Sequence, residues 1–396
     1  MPRVQERTQV AIIGAGPAGL TLALLLERAG IDCVILEDRS RAHVERRARA
    51  GLLEQNTVDL LHELGAGERL AREGLEHNGI NLRWQGRTTY IAIAELTGRH
   101  VTIYGQHEVL KDLVARALDR GLALRFEVPE VALHDIDTDR PRVTYLDDQG
   151  QQELECDFIA GCDGFHGVSR PSLPDGVLTI YDFEYGFAWL GITARAAPAT
   201  DELIYAWSDR GFALYSMRSP ETSRLYVQVP ADEQIGRWPD ERIWEELQAR
   251  MATEGWSVNQ GEIVDKGITP MRSFVCEPMQ YRRVFLAGDS AHIVPPTGAK
   301  GLNLAVNDAR LLASALATWY RSGSSDALNG YSAVALRRVW RAQDFSNYMT
   351  QLLHDLGRGL FDRKLQLARL EYLSRSRAAA TSLAENYAGL PATDDF

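Results

Sequence analysis

Three features of this 396-residue chain predict an α/β fold with an inserted mixed or antiparallel sheet and a helical C-terminal part. A strand, a glycine cluster, an apolar helix and a second strand follow one another at the N-terminus. Near residue 180 the composition shifts to a stretch rich in Tyr, Trp, Phe and Val, the residues that fit a pleated surface. After Leu302 the periodicity is helical to about Ser374. The chain is longer than one ordinary core supports, so the expected division is 1–178, 179–271 and 272–396.

The first feature is the most specific. Thr8 to Ile13 reads as a strand, Gly14-Ala15-Gly16-Pro17-Ala18-Gly19 as a turn, and Cys33 to Leu36 as a second strand ending at Glu37. Gly14 permits the tight turn, Gly16 lets backbone approach a pyrophosphate, and Gly19 allows close helix–strand packing. The helix N-terminus adds free N–H groups and a positive dipole end. Glu37 stands at about the spacing of 20 residues where a carboxylate meets an adenosine ribose. The segment is therefore a Rossmann-like dinucleotide site.

Composition excludes other classes. A net charge of −11 argues against a nucleic-acid surface. No apolar run reaches the roughly 18 residues of a membrane span, and MPRVQERTQV lacks the apolar core of a signal peptide, so a cytoplasmic location is expected. Cys33, Cys156, Cys162 and Cys276 are scattered, without metal-ligand spacing, and read as buried free thiols; no metal site is expected.

Between Asp38 and Gly51 the chain carries five arginines in eleven positions. Such a run fits a solvated helix face or a phosphate contact equally well, with Arg49 favoured because a guanidinium bonds phosphate bidentately. Amphipathic helices are expected at 54–63 and 106–120, with a β-like stretch at 80–93. Residues 131–156 suggest an antiparallel meander, Phe158 to Gly161 a buried strand, and 241–251 another helix.

Two further strands end at an acid: Cys162-Asp163-Gly164 and Gly288-Asp289. A carboxylate at the carboxyl edge of an α/β sheet points into the ligand crevice, and three such ends fit one extended cofactor. Ser216 and Arg218 stand two apart on an expected strand and so share a face, a pattern that by itself fits ordinary strand decoration better than a ligand site.

With GAGPAG, Cys162 to Gly167, and Gly288 to Asn303 in view, the sequence resembles the FAD-dependent aromatic monooxygenases, from residue 8 to Pro391. The substrate-pocket matches resemble the branch that hydroxylates 4-hydroxybenzoate at position 3 with NAD(P)H and O2 through a flavin hydroperoxide. The resemblance implies a substrate carboxylate bound by Ser216, Arg218 and Tyr226, and a phenol bonded by Tyr205 with Tyr387 behind it. It further implies His77 ending that relay toward solvent and the Pro296 carbonyl touching the phenol. For FAD it implies Glu37 at the ribose, Arg49 at the pyrophosphate, Gln106 near the cofactor, and Asp163 and Asp289 at the second and third motifs. Leu302 and Asn303 would lie at the isoalloxazine, Lys300 would add positive charge near the pocket, and Arg224 would bridge the sheet to the flavin. His166 and Arg170 match residues implicated in nicotinamide-dinucleotide binding. A homodimer is also implied.

The chemistry explains these groups. A neutral phenol is a poor carbon nucleophile, and moving it toward phenolate enriches the ring position ortho to oxygen; Tyr205 and a histidine that titrates near neutrality serve that removal of a proton. Trp189 is expected to line a dry pocket. Two departures from the resembled pattern stand out. Tyr215 and Met217 flank the carboxylate residues where the resembled pattern has smaller or more polar side chains, so a different pocket edge is expected. After Glu37, Asp38 and His43 replace basic and tyrosine residues, which implies NADH over NADPH, while Arg39, Arg41 and Arg46 leave NADPH open. Hydroxylation of another aromatic acid, and a flavoprotein that only carries electrons, are the competing readings.

Overall fold

The computed structural model describes residues 6–46 and 51–390. Strand Glu6–Ile13 runs between Cys33–Leu36 and Gly150–Gly161, and Ala123–Arg125 and Val284–Leu286 extend this first sheet in parallel. Its central strands are near-continuous apolar runs because both faces are covered, as parallel sheets require. Helices Pro17–Arg28, Gln106–Asp119 and Gly301–Ser322 contribute Leu20, Leu113 and Leu312 to the same core as Ile12 and Ile35.

Gly150–Gly161 does two jobs. Its first half pairs antiparallel with Arg142–Asp147, which in turn pairs with Ala132–His134; its second half pairs parallel with Glu6–Ile13. The last strand of the expected meander and the expected buried strand are thus one element. No turn residue interrupts it, and Asp157 between them is held by Arg7 at 3.0 Å and Tyr320 at 2.9 Å.

The second sheet has the order His292–Ile293, Glu262–Glu277, Thr179–Arg195, Thr222–Pro230, Ala213–Ser219, Leu203–Trp207, Ile80–Trp84, Arg87–Ile91. Its pairing crosses both expected boundaries. The hairpin Ile80–Trp84/Arg87–Ile91, expected within 1–178, joins this sheet through a parallel pairing of Ile80–Trp84 with Leu203–Trp207. Burial of Ile80, Leu82 and Trp84 in the same core as Leu203 and Tyr205 is the reason. Glu262–Glu277 runs through the 271/272 boundary along Thr179–Arg195.

Period-2 alternation gives this sheet two unlike faces. The back face, with Leu190, Ile192, Ile204, Tyr215, Leu225 and Val227, packs on Ile243, Trp244 and Leu247 of helix Asp240–Arg250. Fully buried leucines of this kind each hold roughly 2 to 5 kcal/mol. The front face, with Trp189, Tyr205, Phe212 and Leu214, meets Phe345 and Met349 of helix Asp326–Leu353 and Tyr387 of helix Arg377–Ala388. All four cysteines are buried and free. Among the described residues no helix is long and apolar enough to cross a membrane.

Candidate active site

At the first sheet, three strand ends converge. Gly14 has φ +102°, and a Cβ there would meet the Cys162 carbonyl oxygen at 2.5 Å. A Cβ on Gly19 would lie 2.0 Å from the Gly14 carbonyl oxygen, so helix and turn touch backbone to backbone. A Cβ on Gly16 would meet only the Cys162 oxygen, at 3.9 Å, which leaves open space before the helix N-terminus. Glu37 is buried and closes the cradle, its two oxygens accepting the Ala15 N–H at 2.7 Å and the Arg39 N–H at 2.9 Å. Asp163 Oδ2 accepts the Ser169 N–H at 2.8 Å, while Oδ1 is buried with no hydrogen-bond partner among the described residues. Burial holds the Asp163 carboxyl above its usual range. Open space at a helix N-terminus beside an orphaned carboxylate oxygen fits a dinucleotide with ribose hydroxyls. Asp289 lies in the Gly288–Ser290 turn, whose Gly288 N–H donates to Asp308 at 2.9 Å. Gln106 opens helix Gln106–Asp119. Arg49 lies outside the described residues.

The front face of the second sheet carries the other cluster. Tyr226 pairs with Leu214, Arg224 with Ser216, and Tyr205 with Leu214, so all project the same way. Arg218 Nη1 lies 3.4 Å from Ser216 Oγ. Burial alone would raise the Tyr226 phenol, but the neighbouring Arg218 and Arg224 guanidinium groups pull it below its usual value. The result is a strongly polarised donor beside a guanidinium, a set suited to a carboxylate. Arg224 lies along the sheet, bonded to Asp265 at 3.1 Å, to the Tyr226 oxygen at 3.3 Å and to Thr193. Tyr215 is not at the pocket edge, as its flanking position implied. It projects to the back face, where its oxygen accepts the Ala199 N–H at 2.6 Å and meets Ser223 Oγ at 3.0 Å. Odd and even strand positions face opposite ways, and Tyr215 is the wrong parity.

At the far end of that face, the Tyr205 and Tyr387 hydroxyls are 2.8 Å apart and both rings are buried. Burial pushes the Tyr205 phenol well up, only partly offset by the Tyr387 hydrogen bond; Tyr387 is raised by burial and by Tyr205. Both therefore stay neutral at ordinary pH. Trp189 is 3% exposed, stacks on Phe212 at 5.1 Å and donates its indole N–H to His354 Nε2 at 2.7 Å. His354 in turn packs on Phe212 at 4.1 Å and Phe187 at 4.6 Å, and burial drops its pKa to about 3. A neutral imidazole thus fixes the aromatic wall.

His77 does not end at solvent. It lies in strand Leu75–His77, paired with Val101, and is 1% exposed; Nδ1 is 2.6 Å from Glu202 Oε2. The strand pairing buries the ring, and the Glu202 side chain, 18% exposed, is the member that reaches water.

Two other expectations change at the start of helix Gly301–Ser322. Lys300 is buried, donating to Glu54 Oε1 at 2.7 Å and to the Tyr387 carbonyl at 2.9 Å, and Arg338 holds the other Glu54 oxygen at 2.9 Å. Its charge is thus anchored behind Tyr387. The Asn303 side chain accepts from the Glu54 N–H and Thr57 hydroxyl and donates to the Leu52 and Ala299 carbonyls, at 2.8–3.1 Å. A flavin contact at this helix start would therefore fall to the main chain of Asn303 and of the half-buried Leu302. The Pro296 carbonyl accepts the Ala299 N–H at 2.9 Å and keeps one lone pair.

The nicotinamide-directed residues lie around the second motif and the second strand. Arg170 bonds the Ser290 carbonyl at 3.0 Å and the Phe165 carbonyl at 2.7 Å, while exposed His166 packs edge-on against Phe165 at 5.0 Å. Asp38 and His43 are both exposed, and Asp38 pairs with Arg39 at 3.3 Å. Sequence reasoning missed Glu202, Glu54, Arg338 and His354. Glu202 carries a weak signal, directly preceding the Tyr205 strand; the others carry none in spacing.

A glycine cradle on one sheet, and a clamp and hydroxyl pair on the face of another, define a dinucleotide-dependent enzyme acting on a small polar aromatic molecule. The family described as FAD binding domain matches residues 7–346. The p-hydroxybenzoate hydroxylase of Acinetobacter baylyi is 48% identical over 97% of this chain and 96% of its own length. A 3-amino-4-hydroxybenzoate 2-monooxygenase of Streptomyces cremeus is 27% identical over 85% of each chain. The p-nitrophenol 4-monooxygenase structure from Pseudomonas putida superposes with a TM-score of 0.83 at 18% identity, covering 98% of this chain and all of that one. The chain belongs to the FAD-binding aromatic monooxygenase family. It is a flavoprotein that hydroxylates an aromatic acid, with NAD(P)H and O2 as co-substrates.

Proposed function

We propose that this enzyme hydroxylates 4-hydroxybenzoate at position 3 to give 3,4-dihydroxybenzoate. One observation carries the reading: a carboxylate clamp (Ser216, Arg218, Tyr226) and Tyr205 belong to one sheet, and Tyr387 of helix Arg377–Ala388 meets the Tyr205 hydroxyl. A benzoate with a para hydroxyl has its two polar groups at opposite ends of the ring, and the 48% identical A. baylyi relative bears the corresponding name.

FAD would be held by the Gly14–Gly19 turn, Glu37, Asp163, Asp289 and the Leu302–Asn303 main chain, with Gln106 at the start of its helix close by. When bound, it supplies the reduction of oxygen and the electrophilic oxygen atom. The chain does the rest. Arg218 and Tyr226 bind the carboxylate and fix which ring carbon is presented. Tyr205 accepts the phenol proton while giving its own to Tyr387; because both hydroxyls are kept neutral by burial, they pass a proton and do not store one. Trp189, Phe212 and His354 exclude water from the front face. The Pro296 lone pair orients the phenol.

NADH is the preferred reductant, because exposed Asp38 repels a 2′-phosphate and can accept a ribose hydroxyl. The enzyme works in the cytoplasm, as four reduced, buried cysteines suit. It pairs with a second copy of itself through helix Gly359–Arg375, where Leu360 and Phe361 are 78% and 77% exposed and Tyr372 is 62% exposed. The net charge of −11 offers nucleic acid no broad cationic surface, and among the described residues no helix is long and apolar enough to cross a membrane.

The test is a panel of substituted benzoates, with NADH and NADPH oxidation measured together with aromatic product. Stimulation of NADH oxidation by 4-hydroxybenzoate, with 3,4-dihydroxybenzoate formed, is the expected outcome; a stronger response to an amino-hydroxybenzoate would replace the substrate. Asp38→Arg should shift kcat/KM toward NADPH, and no shift would remove Asp38 from the choice.

A further inference from the structure

Glu202 stands one residue before strand Leu203–Trp207, and the parallel pairing of Leu203 with Ile80 brings it beside His77 and Asn78. Its Oε2 lies 2.6 Å from His77 Nδ1; its Oε1 accepts the Asn78 N–H at 3.1 Å and the Tyr90 hydroxyl at 3.2 Å. A carboxylate only accepts, so the ring nitrogen facing it carries the proton, and Nε2 is left as the acceptor. Tyr90 is a bystander here, its phenol pushed up to about 12 by burial and by Glu202. Glu202 also acts on the relay electrostatically: after burial and Tyr205, its charge is a further cause of the raised Tyr387 phenol. Two neutral tyrosines can only pass a proton onward to a group that takes it. His77 is buried, and the Glu202 side chain is partly exposed.

We propose that Glu202 is the positioning residue of the proton relay: it fixes His77 with Nδ1 protonated and Nε2 open, and its carboxylate is where the proton leaves for water. This rests on the phenol-relay reading above. A proton arrives at His77 Nε2, the Nδ1 proton moves to Glu202, and Glu202 releases it. One proton enters and one leaves, and no electron moves.

Glu202→Gln keeps the shape and the acceptor for Asn78 and Tyr90 but turns an NH2 toward Nδ1, which must then accept. The holoenzyme variant should show the reversed His77 tautomer by 15N NMR. Ionisation of bound 4-hydroxybenzoate after a pH jump, and kcat, should fall roughly 10- to 100-fold with substrate affinity near native. Glu202→Asp should restore part of the rate, and Tyr90→Phe should leave it near native. A native ionisation rate despite a reversed tautomer would overturn the proposal. So would an unreversed tautomer, or loss of affinity in both the Gln and Asp variants, which would make Glu202 structural. Failure of the native enzyme to bind 4-hydroxybenzoate would instead remove the functional reading, and the tautomer, measured without substrate, would still decide the positioning role.

Discussion

The two sheets build their sites in opposite ways. The first offers its ligand groups at strand ends, mostly main chain, where Gly14, Gly16 and Gly19 clear a path for phosphate. The second offers side chains from its face, where Ser216, Tyr226 and Tyr205 come together only because three strands pair, with Arg218 beside Ser216 at a shift of register between Met217 and Ser219. Each strand end of the end-on site is local in sequence, and at Gly14 and Gly19 it is intolerant of a single methyl group. A face-on site is assembled over distance and is adjustable residue by residue.

That contrast can be broken experimentally. The largest effect should come from Gly19→Ala, whose Cβ would lie 2.0 Å from the Gly14 carbonyl oxygen. Backbone cannot give as a side-chain tip can, so overpacking upwards of about 3 kcal/mol and loss of bound FAD, and with it of all activity, are expected. Absorbance at flavin wavelengths and thermal unfolding measure both. Retention of full FAD content would mean the end-on site is more elastic than its geometry implies.

Next in size is Arg218→Ala on the face-on site. Substrate binding should weaken by about 2 to 5 kcal/mol while FAD content holds. Unchanged affinity in a titration would place the clamp elsewhere. Tyr205→Phe should act on chemistry, reducing product formed per NADH oxidised and slowing hydroxylation by roughly 100-fold, with binding little changed. Full coupling in this variant would separate the hydroxyl pair from the reaction.

The smallest effect at neutral pH, one that grows only on acidification, tests the aromatic wall. His354 has a folded pKa of about 3, below the ordinary 6.5 of the unfolded chain. Its contribution to stability is therefore present above about pH 6.5 and is lost as pH falls toward 3, by about 1.4 kcal/mol per pH unit. His354→Gln should flatten the native enzyme's slope of unfolding free energy over that window by about this amount. An identical slope would mean His354 is solvated in the folded state.

Much of the cofactor half was legible because its signals are short-range. Glycines and acids at fixed offsets report a turn whatever surrounds it, and Glu37 closes back on Ala15 only 22 positions away. The carboxylate clamp was half legible: Ser216 and Arg218 share a face by parity, while Tyr226 needed a register. Tyr215 and His77 misled for the same reason. Parity sent Tyr215 to the back, and pairing with Val101 buried a histidine that read as a loop residue.

The sequence by itself determined the dinucleotide turn, the order of the elements and the residue types a phenolic acid would need. Only the tertiary structure decided that Lys300 neutralises Glu54 behind Tyr387, that the Asn303 side chain is fully engaged, that the hairpin from Ile80 belongs to the second sheet, and that Glu202 stands beside His77. The physical reason is range. Backbone conformation and dipoles act within a turn, whereas buried charges and hydroxyls must find partners wherever folding brings them, and nothing local specifies who those partners are.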